Sequence, residues 1–492
     1  MKLNNKNLPH FSSDISRPAY DVQAVKTGIA HIGVGGFHRA HLAFYMDKLL
    51  ADVRSNEWGI CGIGLRPEDK KIKQALQEQD FFYTLFELSD ASEKEVRITG
   101  SIREFYLAED ELDKVLDNLS SPAIKIVSLT ITEGGYCTDD STGEFLSHLP
   151  IIQHDLQNPL APQSVFGVLT EALRRRKENN ISPFTVLSCD NLPHNGRVAR
   201  QALLTFAGML DQSLANWIAS NVSFPNSMVD RITPATSKAH CQQLYDQYGI
   251  EDQWPVVCEP FTQWVVEDAF CNGRPEWEKV GVQFTEDVTP YENMKISLLN
   301  GSHLALTYLG TLLGYEFAHQ TMQDPLLKQF VRTFMDEDVT PLLAQAPGID
   351  FDEYKDTLIQ RFSNPVICDQ LTRISSDGSS KFPKFIFPTL LSLIKQGKPL
   401  GRCCLIVSAW AYYLAGRDEK GNDFLILDPR KEKMQKICQQ EKDFTDEFLG
   451  VYEVFGNTIP ASQRFVETFR EQLVSLKELG VKKTIISVLE KC

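Results

Sequence analysis

Hydrophobic and polar residues alternate along the first half of the chain in a pattern typical of a parallel α/β fold. Short apolar runs are separated by longer segments in which apolar residues recur every three or four positions, as on one face of a helix. The predicted strands are residues 28–34, 58–65, 82–88, 96–102, 124–131, 184–188 and 255–266. The predicted helices are residues 39–50, 68–78, 164–179 and 197–219. This order predicts βαβ units around a parallel sheet.

The pattern changes after Pro290, where helical periodicity dominates. The predicted helices of this second part are residues 291–313, 325–343, 354–362, 388–396, 403–415 and 463–491. We therefore predict an α/β domain over residues 1–285 and a mainly helical domain over residues 286–492. A chain of 492 residues is long enough for a full-sized core in each.

Composition and charge exclude several classes of function. Hydrophobic residues make up 42% of the chain and charged residues 23%, as in ordinary globular proteins. The formal net charge is −15, and no basic stripe with interleaved aromatic residues is present, so nucleic acid is a poor candidate partner. The first residues lack the apolar run of a signal peptide, and the longest apolar stretch, residues 403–416, is too short to span a bilayer. We expect a cytoplasmic protein with no membrane partner.

The segment IAHIGVGGFHRAH places a glycine-rich turn directly after the first predicted strand and ahead of the first predicted helix. Small residues in this context let backbone N–H groups and a helix N-terminus approach a pyrophosphate. Gly33, Gly35, Gly36 and Phe37 are therefore candidate cofactor-binding residues. His38 stands where the third glycine of Gly-x-Gly-x-x-Gly would be, which predicts looser packing of helix on strand. An ordinary tight turn explains a lone glycine cluster about equally well.

Charged residues follow the second predicted strand, which ends at Leu65. A carboxylate from Glu68 or Asp69 would accept hydrogen bonds from ribose hydroxyls and repel a 2′-phosphate, which favours NAD over NADP. The alternative is an acidic first helical turn stabilised by the helix dipole. Arg66 lies beside them and weakens the preference for NAD.

The segment SCDNLPHNG places polar residues after another buried strand, where Asp190, Asn191, His194 and Asn195 are expected to be exposed at its carboxyl end. Ligands of open α/β sheets bind at that edge. Asn191 is the better candidate for function. For Asn195, an Asx-rich turn that caps the next helix is the better explanation.

In FPNSMVDRITP, Asp230 and Arg231 interrupt an apolar segment between two prolines. A structural ion pair and a role in a binding site explain these charges about equally well. The residues alone leave that choice open.

The segment KISLLNGSH places Lys295, Asn300 and His303 within nine residues of a predicted helix. At about 100° per residue, Asn300 lies roughly 140° and His303 roughly 80° around the helix from Lys295, so all three fit on one side. Oxidation of a secondary alcohol needs a base for the hydroxyl proton and fixed donors for the developing oxyanion. These residue types therefore predict a dehydrogenase. The base stays open between His303, which needs almost no tuning, and Lys295, whose ordinary pKa near 10.4 would have to fall by roughly 2 to 3 units.

These segments, HIGVGGFHRAH, SCDNLPHNG, MVDRITP and KISLLNGSH, together with the loop RISSDGSSKFPKF, resemble the polyol-specific long-chain dehydrogenases of the mannitol dehydrogenase family. The resemblance extends over nearly the whole chain. It implies a Rossmann-type NAD-binding domain followed by a mostly helical substrate domain. It also implies a metal-independent, monomeric enzyme that reversibly oxidises a polyol with NAD, such as D-mannitol to D-fructose at C2, with the substrate held where the domains meet.

The resemblance also implies roles for individual residues. Lys295 matches the general acid/base, and Asn191 and Asn300 match the asparagines that polarise the reacting oxygen. His303 matches the residue that orients the substrate, and Glu292 matches a carboxylate linked to proton exchange between the lysine and solvent. The positions that match contacts to polyol hydroxyls are Asp230, Arg373 and Lys381.

Several alternatives remain open at this point. Arg373 and Lys381 would bind a carboxylate as readily as hydroxyls, which leaves a uronate reductase such as fructuronate reductase as the nearest alternative. D-Arabinitol and sorbitol are alternative polyols. A protein that senses NAD without turnover is disfavoured, since it has no need of an acid/base.

Two other dehydrogenase classes fit less well. Tyr291-x3-Lys295 has the spacing of the short-chain dehydrogenases, but those chains are shorter and have a different glycine pattern. A zinc enzyme would need clustered Cys and His ligands. His38 and His41 are three residues apart without a cysteine-rich partner set, so helix packing or phosphate contact explains them better.

Overall fold

The structure is a computed structural model that describes residues 1–53, 56–88, 95–139 and 142–491. It divides into two compact units, Met1–Thr289 and Pro290–Cys492. The first unit contains the β-sheets, and the second is built from helices. None of the helices among the described residues has the length and apolar character needed to cross a membrane.

The strands and helices of the N-terminal unit alternate along the chain. The strands are β1 Thr27–Ile32, β2 Gly59–Gly64, β3 Tyr83–Glu87, β4 Val96–Thr99, β5 Ile102–Leu107, β6 Ile126–Leu129, β7 Thr185–Ser188, β8 Ser227–Asp230, β9 Val256–Cys258, β10 Gln263–Glu267 and β11 Gln283–Thr285. The α-helices are α1 Gly36–Ala40, α2 Leu42–Val53, α3 Asp69–Glu78, α4 Ala108–Ser120, α5 Thr132–Gly135, α6 Pro150–Gln157, α7 Val165–Glu178, α8 Asn195–Leu210, α9 Gln212–Asn221 and α10 Lys238–Tyr248. Short 3-10 helices are Leu8–His10 and Trp277–Val280.

The main sheet has five parallel strands in the order β5-β2-β1-β6-β7. Three of its strands, β2, β6 and β7, are buried along their whole length, as expected for strands covered on both faces. The order reverses between β1 and β6, and open α/β sheets bind their ligands at the carboxyl ends of the strands at such a point. The predicted Rossmann-type fold is confirmed.

Two smaller sheets have the strand orders β11-β10-β8 and β4-β3-β9. They show that two of the predicted strands are each divided in two. The segment 96–102 does not form one strand, because the chain turns at Gly100 and Ser101 and its two halves join different sheets. The segment 255–266 is likewise divided between β9 and β10, which belong to different sheets. Periodicity alone predicts extended backbone but not the turns that redirect it.

Two of the predicted N-terminal helices are also interrupted. The helix predicted over residues 39–50 is two helices, α1 and α2, because His41 has non-helical φ and ψ of −121° and −91°. The helix predicted over residues 197–219 breaks at Asp211, whose extended backbone ends α8 and whose carboxylate caps α9 by accepting the N–H of Ser213 at 2.7 Å.

The C-terminal unit is mostly helical, as predicted. Its α-helices are α11 Thr289–Met294, α12 Gly301–Leu312, α13 Ala318–Gln323, α14 Pro325–Thr333, α15 Phe351–Ser363, α16 Leu371–Ser375, α17 Gly378–Phe385, α18 Phe387–Gln396, α19 Gly401–Tyr413, α20 Lys431–Cys438, α21 Thr445–Leu449, α22 Tyr452–Phe455, α23 Gln463–Leu479 and α24 Val481–Lys491. A 3-10 helix spans Thr340–Leu342. Helix α19 is buried on nearly all sides and packs against α12 and α23, so the longest apolar stretch is a core helix.

Three predicted helices of this unit need correction. The predicted helix 463–491 is two helices, because the chain turns at Gly480. The predicted helices 291–313 and 325–343 each contain a π-helical segment, Lys295–Asn300 and Phe334–Val339, which we call the first and second π segments. The two π segments pack against each other, and the first also packs against α17.

Candidate functional site

In the N-terminal unit, the glycine turn begins at the carboxyl end of β1 with Gly33. Its φ of +96° is strained for any side chain, and a Cβ here would lie 2.1 Å from the carbonyl oxygen of Thr130. The Thr130 hydroxyl donates to the Gly33 carbonyl at 2.7 Å. The turn after β1 is therefore fastened to the loop after β6, on the two sides of the point where strand order reverses.

Gly35, Gly36 and Phe37 follow on the surface, with both glycines exposed and Phe37 half-buried. A Cβ at Gly35 would lie 3.8 Å from its nearest neighbouring atom, and one at Gly36 would lie 3.6 Å from Thr233 Cγ2. Packing within the protein therefore does not require glycine at either position. Close approach of phosphate groups to the backbone does require it, so the turn fits a dinucleotide.

At His38, where the third glycine was absent, side chains form the contact between helix and strand. The His38 ring is buried and stacks on the ring of His31, with 3.4 Å between ring centroids and 9° between their planes. His31 in turn contacts Ser128 Oγ at 2.8 Å and Thr130 Oγ1 at 2.9 Å. A stacked pair of imidazoles thus joins helix to strand where a glycine would allow close backbone contact. Burial lowers the pKa of His31 to about 3 and that of His38 well below its ordinary value.

His41 is also a packing residue, since its Nε2 lies 3.0 Å from the carbonyl oxygen of Gln263 and its ring packs beside those of Phe37 and Trp264. Across the part of the chain that the structure describes, no three His, Cys, Asp or Glu side chains are grouped as a metal site requires.

At the carboxyl end of β2, the side chain of Asp69 lies against Gly64, the last residue of the strand. A Cβ at Gly64 would lie 2.7 Å from Asp69 Cβ, and Asp69 Oδ2 accepts the backbone N–H of Arg66 at 3.1 Å. Asp69 is half-buried, whereas Glu68 and the side chain of Arg66 are exposed. Of the two carboxylates predicted to contact the ribose, Asp69 has the fixed position that such a role needs.

The carboxylate of Asp190 fixes the loop that follows β6. It accepts the backbone N–H groups of Ile131 and Thr132 at 3.0 and 2.8 Å, and the hydroxyl of Tyr136 at 2.7 Å. Asp190 is buried, which corrects the expectation that it is exposed, and burial raises its pKa despite these donors. Two neighbouring strand ends are thereby held together, directly before Asn191.

Asn191 is exposed at this edge, as predicted, and His194 is half-buried. Asn195 is fully buried, contrary to the expectation of exposure. Its amide donates to the carbonyls of Asp190 and Ser227 at 3.0 and 2.8 Å, and its Oδ1 accepts the Ser227 N–H at 2.9 Å. Asn195 therefore has a structural role, but it ties the loop to β8 and does not cap α8, so the predicted capping turn is wrong.

Asp230 and Arg231 have different surroundings although they are adjacent. Arg231 is fully buried and forms an ion pair with Glu87, and its guanidinium also donates to the carbonyls of Glu259 and Ala40 at 3.0 and 2.7 Å. The structural ion pair thus accounts for Arg231. Asp230 is the last residue of β8 and is buried.

In the C-terminal unit, Lys295 and Asn300 are the first and last residues of the first π segment, and both are buried. A π turn joins residue i to residue i+5, so these two residues lie one turn apart on the same side. The angular positions calculated for an α-helix are therefore wrong here. His303 follows on α12, half-buried, with its ring 4.5 Å from that of Phe362.

Helix α11 directly precedes the first π segment and carries two of the residues considered in the sequence analysis. Glu292 is buried and lies three residues before Lys295, a spacing that makes helical residues neighbours. Tyr291 is also buried, and its hydroxyl donates to the Pro347 carbonyl at 2.7 Å. That contact explains Tyr291 as a structural residue and argues against it as an acid/base.

Arg373 and Lys381 lie on α16 and α17, which pack against α12 and the first π segment respectively. Arg373 donates from Nε and Nη2 to the two carboxylate oxygens of Asp369, both at 2.7 Å. The Lys381 ammonium donates to the Ile374 carbonyl at 3.0 Å. Asp369 was not among the predicted residues, although its spacing of four from Arg373 could have identified it.

Each unit thus gathers its own set of candidate residues. In the N-terminal unit, the glycine turn, Asp69 and Asn191 lie at the carboxyl edge of one parallel sheet, while Asp230 ends a strand of another sheet. In the C-terminal unit, Lys295, Asn300 and His303 lie within nine residues of one helical stretch, and Arg373 lies on α16, which packs against α12. Such groups can transfer a proton and donate hydrogen bonds to oxygen atoms.

Comparison with known proteins identifies relatives over the whole chain. A family model described as the mannitol dehydrogenase Rossmann domain matches residues 27–279, and one described as the mannitol dehydrogenase C-terminal domain matches residues 287–477. Mannitol 2-dehydrogenase of Aspergillus fumigatus is 43% identical, over 99% of this chain and 98% of that protein.

Two solved structures are similar in both sequence and fold. The ternary complex of Pseudomonas fluorescens mannitol 2-dehydrogenase with NAD and D-mannitol is 56% identical, with a TM-score of 0.91 and coverage of 100% of both chains. D-Sorbitol dehydrogenase in substrate-free form is 38% identical, with a TM-score of 0.92 over 99% of this chain and 100% of that chain. The chain therefore belongs to the mannitol dehydrogenase family.

Proposed function

We propose that this protein is an NAD-dependent polyol dehydrogenase that reversibly oxidises D-mannitol to D-fructose at C2. The observation that supports it most strongly is the full-length similarity, at 56% identity, to an enzyme whose structure holds NAD and D-mannitol. The relative from Aspergillus fumigatus, named mannitol 2-dehydrogenase, supports the same substrate.

The cofactor would lie on the glycine turn of the N-terminal unit, with phosphates near Gly33, Gly35, Gly36 and Phe37. NAD supplies the acceptor of the hydride that leaves the carbinol carbon. Asp69 would accept hydrogen bonds from the ribose, with Glu68 and Arg66 at the rim. The half-buried, anchored carboxylate of Asp69 favours NAD over NADP, because a 2′-phosphate beside it would be repelled.

Lys295 would act as the general acid/base. In the oxidation direction its neutral amine accepts the proton of the C2 hydroxyl at Nζ, and the carboxamides of Asn191 and Asn300 donate to the oxygen as it becomes negative. Glu292, one helical turn before Lys295, would exchange the proton between the amine and solvent. The placement of Lys295 and Asn300 one π turn apart on one side supports their joint role.

The remaining predicted residues would select and orient the polyol. His303 would donate or accept a hydrogen bond that holds the substrate, and Asp230, Arg373 and Lys381 would contact its other hydroxyls. A hexitol offers several neutral hydroxyls, and each needs a donor or an acceptor when water is removed. We further propose that the enzyme acts as a monomer, which sedimentation of the purified protein would test.

Sorbitol is a second candidate substrate. The observation that favours it is the similarity to D-sorbitol dehydrogenase, at 38% identity over nearly the entire length of both chains. Sorbitol and mannitol are epimers at C2, so both offer a secondary alcohol among similar hydroxyls.

One assay tests the proposed function. Formation of NADH is followed with D-mannitol, D-arabinitol, sorbitol and D-mannonate, with NADP in place of NAD as the cofactor control. We expect the largest kcat/KM for mannitol with NAD. Turnover confined to mannonate would contradict the polyol assignment, and a preference for NADP would contradict the role of Asp69.

A further inference from the structure

We propose that Asp369 determines specificity at the substrate subsite of Arg373, by making that subsite favour a neutral hydroxyl over a carboxylate. The inference rests on the proposed function, in which Arg373 contacts the polyol. It names the substrate class that the site rejects, namely sugar acids such as aldonates and uronates.

The geometry of the Arg373–Asp369 pair is the observation that supports this proposal. Two guanidinium nitrogens, Nε and Nη2, each donate to a different oxygen of the same carboxylate at 2.7 Å. Asp369 is buried, whereas the Arg373 side chain is 56% exposed. The carboxylate is thus fixed beneath the guanidinium, and the outer side of the guanidinium faces solvent.

Asp369 is held independently of this ion pair. Its backbone carbonyl accepts the N–H of Ala318 at 2.9 Å, which attaches the start of α16 to the start of α13. Because the backbone is fastened, we expect α16, the helix that carries Arg373, to keep its position when the carboxylate charge is lost. A substitution at position 369 can therefore change the charge of the pair with little change in its position.

The pairing changes what Arg373 can recognise. A guanidinium has five N–H donors, and Asp369 occupies two, so three remain for a ligand. Two parallel bonds to one planar carboxylate are the strongest recognition mode of arginine, and Asp369 already occupies the Nε–Nη2 edge, one of the two edges that offer it. A sugar acid would use the remaining donors while its charge lies close to that of Asp369. A hydroxyl needs only one hydrogen bond and carries no charge that Asp369 repels.

Lys381 donates hydrogen bonds to two neutral oxygen atoms in the same part of the fold. Its ammonium donates to the Ile374 carbonyl at 3.0 Å and contacts Ser376 Oγ at 3.4 Å. The Ser376 hydroxyl donates to the carbonyl of Arg373 at 2.8 Å. The turn between α16 and α17 thus links the two cationic residues, so the charge of Asp369 acts on a subsite whose shape is already fixed.

D-Mannitol and D-mannonate are a suitable pair of probes. They differ only at one end, where mannitol has a CH2OH group and mannonate a carboxylate, and both offer the same secondary alcohol for oxidation. The ratio of their kcat/KM values therefore measures the preference for a neutral terminus. It is measured for the wild type and for Asp369→Asn, which removes the charge and keeps the size of the side chain.

We expect Asp369→Asn to shift this ratio toward mannonate by about tenfold, as the removal of one nearby charge predicts. Asp369→Glu, which keeps the charge, should restore a preference close to that of the wild type. The matched control is Asp268→Asn, which removes the carboxylate of another bidentate pair, with Arg274 at 2.7 and 3.0 Å. It should leave the ratio unchanged.

The outcomes separate this inference from the proposed function. If the wild type oxidises no polyol, the proposed function fails whatever the variants do. If the wild type oxidises mannitol and the ratio stays the same in a folded Asp369→Asn protein, the inference alone is wrong. A variant that loses mannitol activity without any gain on mannonate also contradicts it, because Asp369 would then only hold Arg373 in place. Thermal unfolding and the response of Asp369→Glu identify a variant that has merely failed to fold.

Discussion

The candidate residues of the two units are held in place by different structural devices. In the N-terminal unit they lie in turns at the ends of parallel strands, and hydrogen bonds between neighbouring loops fix those turns, as Thr130 does for Gly33 and Asp190 for the loop after β6. In the C-terminal unit Lys295 and Asn300 are placed by a change of helix type. Backbone turns that admit a phosphate suit cofactor binding, and side chains on a packed helix suit proton transfer.

The first prediction separates the tasks of the two units. Lys295→Ala should lower kcat by about 10²–10⁴-fold at every pH, because general acid/base catalysis contributes that much. The affinity for NADH should stay unchanged, since the glycine turn belongs to the other unit. Steady-state kinetics from acid to alkaline pH and NADH fluorescence titration measure the two effects.

Lys395→Ala serves as the control for this prediction, because Lys395 is an exposed lysine of the same unit. It should behave as the wild type does. If Lys295→Ala keeps near-normal rates and His303→Ala does not, the roles of the two residues have to be exchanged.

The second prediction tests the strand-end turn. Gly33→Ala should lower the free energy of unfolding by at least about 2 kcal/mol, because a Cβ there combines a positive φ with a backbone clash. The KM for NAD should rise about tenfold or more, while the KM for mannitol changes less. Chemical denaturation and kinetics at varied NAD concentration provide the measurements.

A matched substitution isolates the clash from the backbone strain. Gly273 has a φ of +78°, but a Cβ there would have no neighbouring atom within 4 Å. Gly273→Ala should therefore cost less than Gly33→Ala and leave the KM for NAD unchanged. Equal losses from both variants would mean that contact with Thr130 is unimportant.

Much of the N-terminal site could be predicted because its determinants are local in sequence. Gly33 and Asn191 each follow a recognisable strand directly, and parallel strands bring their carboxyl ends to one edge. The position of Asp190 could not be predicted, because its donors Ile131 and Thr132 are 59 and 58 residues away. Strand and helix patterns say where an element lies, but not which loops hydrogen-bond to each other.

The C-terminal site could be predicted as a set of residue types but not as a geometry. The letters KISLLN are compatible with an α-helix, and a π segment has no composition of its own, so the backbone type of Lys295–Asn300 was missed. The pair Asp369 and Arg373 was also missed, although a spacing of four between opposite charges is readable. Family resemblance therefore contributed most to the assignment of roles in this unit.

The third prediction concerns acid sensitivity of the strand-end region. Burial keeps His31 neutral in the folded chain, since its pKa is lowered to about 3, and the pKa of His38 is also lowered, chiefly by burial and further by the positive charge of Arg39. In the unfolded chain both titrate near 6.5. Between these values the unfolded state binds more protons, so stability should fall as pH falls below about 6.5, by about 1.4 kcal/mol per pH unit for each histidine.

A substitution at His38 measures its share of this effect. Within the described residues, neither ring nitrogen of His38 has a hydrogen-bond partner. His38→Phe keeps a ring against His31. It should reduce the slope of the unfolding free energy against pH by the equivalent of about one bound proton between pH 4 and 6. His10→Gln, at an exposed position, is the control and should leave the slope in place. An unchanged slope in His38→Phe would mean that His38 is protonated in the folded chain.

The fourth and smallest effect is expected at the end of the first π segment. A Cβ at Gly301 would lie 3.4 Å from the Phe385 carbonyl oxygen and 3.5 Å from Phe334 Cε1, which are ordinary contacts. Gly301→Ala should therefore raise the free energy of unfolding by up to about 1 kcal/mol, as alanine does in helices, and leave kcat within about twofold. In the same helix, a Cβ at Gly310 would lie 2.5 Å from Thr321 Oγ1, so Gly310→Ala should be destabilising. A strong loss of kcat in Gly301→Ala without loss of stability would mean that the π geometry depends on the glycine at its end. Both units would then rely on a glycine to place their candidate residues.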